Sequence, residues 1–109
     1  MLQALACYDD SRYSQAMIRS FADQATEQVW LGTVARRLPH DIQRIGRRKL
    51  RMLNAAQTLD DLRQPPGNRL EALRSDRAGQ HSIRINDQWR VCFVWRDGDA
   101  HQVEIVDYH

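Results

Sequence analysis

Three groups able to hold or move a proton, Asp107, Tyr108 and His109, close the chain directly after the apolar run Val103 to Val106. A terminus stays ordered when it is tied into a sheet, and Val103, Ile105 and Val106 are residue types that tie it. The triplet therefore reads as part of a site at a strand's end, although a tyrosine and a histidine that only solvate such an end leave the same trace. A second concentration of chemistry lies upstream. Arg36, Arg37, Arg44, Arg47, Arg48, Lys49 and Arg51 follow one another against the single acid Asp41, and Lys49 is the chain's one basic residue that is not an arginine. The guanidinium is a planar fork matched to phosphate oxygens, so this stripe suits a polyanion such as RNA. A solvated helix face also explains such a run.

The remaining composition narrows the classes. With 109 residues the chain has room for one domain with a small core. No apolar run approaches the roughly 18 residues of a membrane span, and the start lacks the basic and apolar pattern of a signal peptide. Cys7 and Cys92 lie far apart without metal-ligand spacing, which fits free thiols in a reducing cytoplasm. No Cys/His cluster or grouped carboxylates suggest a metal cage, so neither metal nor cofactor is expected. Residues 1 to 16 differ in character from the rest and read as an N-terminal extension, with Met17 as the usual start and 17 to 109 as the domain.

The elements that must position these groups follow from period and punctuation. Met17 to Phe21 reads as a first strand, and Asp23 as the N-cap of a helix from Gln24 to Leu31. Pro39 and Asp41 open a second helix, where Ile42, Ile45, Lys49, Met52, Leu53 and Ala56 recur at three- and four-residue steps. That face packs on a sheet, and Arg44, Arg47, Arg48 and Arg51 fall mostly on the other side. Thr58 to Asn68 reads as a loop. Four strands follow, Arg69 to Leu73, Gln80 to Asn86, Trp89 to Trp95 and Gln102 to Tyr108, separated by gaps short enough for antiparallel neighbours. The expected class is α+β: two N-terminal helices on one face of a mainly antiparallel sheet of four to five strands.

Alternation assigns the side chains to faces. Trp89, Val91, Phe93 and Trp95 share the core face with Ile83, Ile85, Val103 and Ile105. Glu71, Arg84, Arg90 and Tyr108 then project from the opposite, open surface. Pairing Phe93 with Ile105 and Val91 with Asp107, across a three-residue loop Gly98 to Ala100, would set Arg90 opposite Tyr108.

These residues carry a resemblance. The opening MIRSF, the segments PPGNRLEAL and DRAGQHSIRINDQWRVCF, and the closing VEIVDYH make the chain similar, from Met17 to His109, to the HigB or GraT-like branch of the RelE/ParE toxin superfamily, the plasmid-maintenance killer proteins. The resemblance implies a RelE-like microbial RNase fold and a toxin that cuts mRNA in the ribosomal decoding site. It also implies silencing by HigA, a helix-turn-helix antitoxin through whose complex operator DNA is reached, with two antitoxin chains expected in the complex. Carried over residue by residue, Asp107, Tyr108 and His109 match the closing triplet implicated in cleavage. Arg90 matches the arginine assigned to the scissile phosphate, and Arg74 matches a basic position that contacts RNA. Glu71 is a departure, standing where a well-known member has a histidine.

Metal-free RNA cleavage needs removal of the 2′-hydroxyl proton, stabilisation of the phosphorane and protonation of the departing 5′-oxygen. Glu71 is the candidate base, Arg90 with Arg74 the phosphate brace, and His109 beside Asp107 the proton donor. Tyr108 can orient the phosphate, stack on a base or share the base role. The rival reading is a noncatalytic toxin-like module that binds a HigA-type antitoxin or ribosomal RNA. A DNA-binding regulator acting alone fits less well, because the basic helix lacks a helix-turn-helix partner.

Overall fold

The computed structural model describes residues 17–108. The expectations about residues 1 to 16, Cys7 and His109 lie outside the described residues. Helix α1 spans Gln24–Leu31, α2 spans His40–Ala55, and four strands follow: β1 Glu71–Ala72, β2 His81–Arg84, β3 Trp89–Arg96 and β4 Asp99–Asp107. They form one antiparallel sheet in sequence order. The two helices cover one face, giving the expected two-layer α+β architecture.

Each helix has a local cause. Asp23 caps α1 by accepting from the Thr26 amide at 2.9 Å, and Gly32, at φ +85°, ends it in the left-handed conformation that glycine adopts without strain. The Thr26 side chain is fully buried and accepts from the Ile105 amide at 2.9 Å, which fixes α1 on β4. On α2 the buried positions are Ile42, Gly46, Leu50 and Leu53. This corrects the expected face by about one residue, since Ile45, Lys49 and Met52 are only half-buried. Gly46 sits where α2 meets the sheet: a Cβ there would find Ile105 Cδ1 at 3.4 Å and Ile85 Cδ1 at 3.5 Å, ordinary contact distances. Lys49 instead turns to donate to Asn68 Oδ1 at 2.6 Å, and burial, with Arg48 beside it, lowers its pKa.

The segment from Thr58 to Asn68 is more ordered than a plain loop. It contains two 3-10 turns, Leu59–Arg63 and Pro66–Asn68, the first closed by a reciprocal cap between Thr58 and Asp61. The backbone amides of Gln57 and Thr58 donate to Asp61 and hold its carboxyl below the ordinary range. Asn68 is fully buried and donates to the carbonyls of Leu62 and Gln64 at 3.1 and 3.2 Å. A polar side chain buried with its partners ties this segment to α2 and sets where the chain enters β1.

The strands are placed as expected but with different ends and register. Arg69 to Leu73 contracts to two residues because Arg69 sits at φ +46°, outside the extended region, and the chain leaves the sheet again after Ala72. The β3–β4 hairpin turns on Asp97 and Gly98, both at positive φ (55° and 80°), the two-residue turn whose twist suits antiparallel strands. The odd residue expected in the loop lies instead in β4. There the register passes from Cys92↔Glu104 to Val94↔His101, and Gln102, at φ +53°, takes the bulge. Ala100, Val103 and Ile105 can therefore all be buried although their spacing is three and then two. Beyond the bulge Val91 pairs with Ile105, Arg90 with Val106 and Trp89 with Asp107. The expected pairings are thus shifted by two residues, which keeps every side chain on its assigned face.

The same bulge explains the first strand. Met17 to Phe21 does run along β4, in parallel, through bridges Ile18↔Ala100 and Phe21↔Val103. Between them the Gln102 amide donates to Ser20 Oγ at 2.9 Å rather than to backbone, so the ladder breaks into two isolated bridges. The core consists of Val29, Leu50, Leu53, Leu62, Ile83, Val91, Phe93, Val103 and neighbouring small residues, with Trp89 and Trp95 packed at its edge. Among the described residues no helix is long and apolar enough to cross a membrane.

Candidate active site

The face turned away from the helices carries the site. Register puts Glu71, Ser82 and Cys92 in one row across β1, β2 and β3, and Arg84, Arg90 and Val106 in the next. Arg90 stands at its centre with a side chain only 12% exposed. Its Nη1 donates to Ser82 Oγ at 2.5 Å and to the Arg69 carbonyl at 3.4 Å, and lies 3.2 Å from Glu71 Oε1. The Arg90 Cζ lies 5.6 Å from the centre of the Tyr108 ring. Arg90 pairs with Val106 and not with Tyr108, yet the two side chains meet diagonally, as long side chains two residues out of register do.

The chain end is held to the adjacent turn. The Tyr108 amide donates to the Gln88 carbonyl at 2.6 Å, and Gln88 Nε2 donates to Asp107 Oδ2 at 3.0 Å. Asp107 and Tyr108 are both exposed at the end of the strand. Arg84 reaches the same face and pairs with the exposed Asp87. Arg74 is exposed in the turn after β1. The structure therefore gathers Glu71, Arg84, Arg90 and Tyr108 on one surface, with Asp107 at its edge.

The other arginines lie elsewhere. Arg44, Arg47, Arg48 and Arg51 flank a shallow groove of about 400 Å³ on α2, and Arg36 and Arg37 lie in the turn before it. This is the helix layer, on the opposite side of the sheet from Arg90.

Several contributors to the site carry no signal in the sequence. Ser82 is fully buried beneath Arg90, and neither its type nor its position marks it as more than a strand serine. Arg69 contributes a carbonyl, which no side-chain pattern reveals. Arg77 and Glu104 form a half-exposed pair at 3.3 Å on the same face. Cys92 is a buried free thiol in the next row, and burial pushes its pKa up, so it is poorly suited to act as a nucleophile.

A face with a clamped guanidinium, a carboxylate and a phenol beside a strand end can bind a phosphodiester and move a proton. Residues 19–109 match the model of the RelE-like toxin of the type II toxin-antitoxin system HigB. The chain belongs to the HigB-like toxin family. Toxin HigB-1 of Vibrio cholerae serotype O1 is 45% identical over 85 residues, covering 77% of this chain and 90% of that protein. Endoribonuclease HigB of Proteus vulgaris is 31% identical over 94 residues, covering 85% of this chain and all of the relative. An uncharacterised protein of Haemophilus influenzae is 31% identical over 72 residues, 66% of this chain and 71% of its own length. As a type II toxin this HigB-like chain has an antitoxin partner.

Proposed function

We propose that this toxin is a ribosome-dependent, metal-independent endoribonuclease that cuts mRNA in the cytoplasm and so stops translation and growth. A HigA-type helix-turn-helix antitoxin silences it, and operator DNA is reached only through that complex. The observation that carries the reading is Arg90, held by Ser82 and Glu71 under the Tyr108 ring on an open face. The name of the Proteus vulgaris relative supports the reaction class.

In the proposed step the 2′-oxygen attacks the adjacent phosphorus and the P–O5′ bond breaks, leaving a 2′,3′-cyclic phosphate and a 5′-hydroxyl. Glu71 takes the 2′-hydroxyl proton, and His109 gives one to the departing 5′-oxygen, with Asp107 supporting its imidazole. Arg90 bears the charge that grows on the phosphorane, helped by Arg74 and Arg84. Glu71 and Arg90 pair at 3.2 Å in the free protein, so an incoming phosphate displaces the carboxylate and releases the base as it binds. Tyr108 orients the phosphate or stacks on a base. On the opposite layer Arg48 and Arg51 hold ribosomal RNA backbone.

The test is single replacement of Glu71, Arg90, Tyr108 and His109, with growth after induction and message ends both measured. Wild type is expected to create new ends on translated messages and each variant to lose them. Undiminished toxicity and cleavage in all four would remove the mechanism. Growth arrest by wild type without new ends would favour the binding module.

A further inference from the structure

The turn joining α1 to α2 exposes apolar surface that the nuclease reading does not use. Among the described residues the large hydrophobic side chains that are well exposed are Leu31 at 64%, Val34 at 65% and Tyr108 at 39%. Tyr108 belongs to the Arg90 face. Leu31 and Val34 bracket Gly32, where α1 ends. Val34 is a ridge between two shallow hollows. One, of about 220 Å³, is lined by Val29, Gly32, His40, Gln43, Arg44 and Arg47; the other, of about 270 Å³, by Ala25, Gln28, Arg36 and Arg37. None of these four arginines forms an ion pair with a described carboxylate. The Arg47 guanidinium lies 3.1 Å from the Cβ that a side chain at Gly32 would carry, and its buried Nε has no hydrogen-bond acceptor among the described residues.

We propose that this ridge is the docking surface for an acidic, amphipathic segment of the antitoxin. Two apolar anchors of the segment fill the hollows on either side of Val34, and its carboxylates pair with Arg36, Arg37, Arg44 and Arg47. A nucleic-acid backbone would engage the cations but leave Leu31 and Val34 in water. A purely apolar partner would strand four unpaired guanidinium groups at the contact, which costs binding. An aliphatic ridge rimmed by unpartnered arginines matches a segment that carries both kinds of group. The surface lies in the helix layer, away from Arg90. The inference rests on the antitoxin that family membership implies, not on the residue roles proposed for cleavage. It assigns the arginines at this end of the stripe to protein recognition and leaves Arg48 and Arg51 to RNA.

The experiment titrates the full chain with its purified cognate antitoxin, comparing wild type with Leu31→Asp/Val34→Asp and with Arg36→Glu/Arg37→Glu. Both side chains of the first variant are exposed, so an unchanged thermal melt verifies its fold. We expect the aliphatic variant to bind at least about tenfold more weakly and the charge variant to bind more weakly and with less salt dependence. Message cleavage by Leu31→Asp/Val34→Asp is expected to equal that of wild type. Wild-type antitoxin affinity in the aliphatic variant overturns the proposal. So does a variant that loses affinity for a single-stranded RNA, or self-association seen by sedimentation, while its antitoxin affinity holds. Absence of cleavage by wild type would count against the nuclease reading alone, because the titration does not depend on it.

Discussion

Arg90 is gripped from several sides, and Ser82 is the grip that can be removed with least disturbance. The serine is fully buried and its hydroxyl accepts from Nη1 at 2.5 Å. A hydrogen bond to a charged group is worth about 1.5–3 kcal/mol, so Ser82→Ala is expected to slow cleavage by about tenfold or more. The measurement is single-turnover cleavage of ribosome-bound message. Because the Arg69 carbonyl and Tyr108 still hold the side chain after phosphate has displaced Glu71, binding should weaken less than the rate falls. Equal loss in both would mean that Ser82 merely shapes the sheet. At this scale the sequence revealed the open-face partners and hid the buried one. Strand parity is enough to place Glu71, Arg84, Arg90 and Tyr108 together, since a period of two fixes the face. Nothing in parity separates a serine that clamps a guanidinium from one that fills a sheet.

Elements were legible wherever a local rule sufficed. Asp23 opens α1 by capping chemistry, and short gaps make the last strands antiparallel neighbours, although the final turn falls on Asp97 and Gly98 and not on Gly98 to Ala100. The misses have non-local causes. The bulge at Gln102 is set by the need to bury Ala100, Val103 and Ile105 together, and it shifts the β3–β4 register while breaking the first strand. Asn68 orders a segment whose prolines and acids read as plain loop. On α2 the true contact line runs through Gly46, which carries no hydrophobic signal. Its missing Cβ would find ordinary van der Waals neighbours at 3.4 and 3.5 Å. Gly46→Ala is therefore expected to raise stability by up to about 1 kcal/mol through helix propensity. Gly46→Leu should lower it by prying α2 from Ile105 and Ile85. Denaturant unfolding of both variants checks the sign, and a destabilised alanine variant would show that α2 packs too tightly on Ile105 and Ile85 to admit a methyl group.

At the scale of the molecule, the sheet separates two surfaces of different chemistry. The Arg90 face gathers groups able to cut, while the helix layer presents cations without described carboxylate partners at Arg48 and Arg51. If those two arginines hold ribosomal RNA, Arg48→Glu/Arg51→Glu should weaken ribosome association. The slope of log affinity against log salt should become shallower by roughly 0.7–0.9 for each phosphate that is no longer neutralised. An unchanged slope would leave the stripe as a solvated face. The decisive measurement is cleavage of ribosome-bound message by Arg90→Ala beside wild type, with the fold of both verified by thermal melt. A drop of at least about a hundredfold is expected, as when a principal charge stabiliser of the transition state is removed. Cleavage by a folded Arg90→Ala within a few-fold of wild type would contradict the assignment of Arg90 to the scissile phosphate.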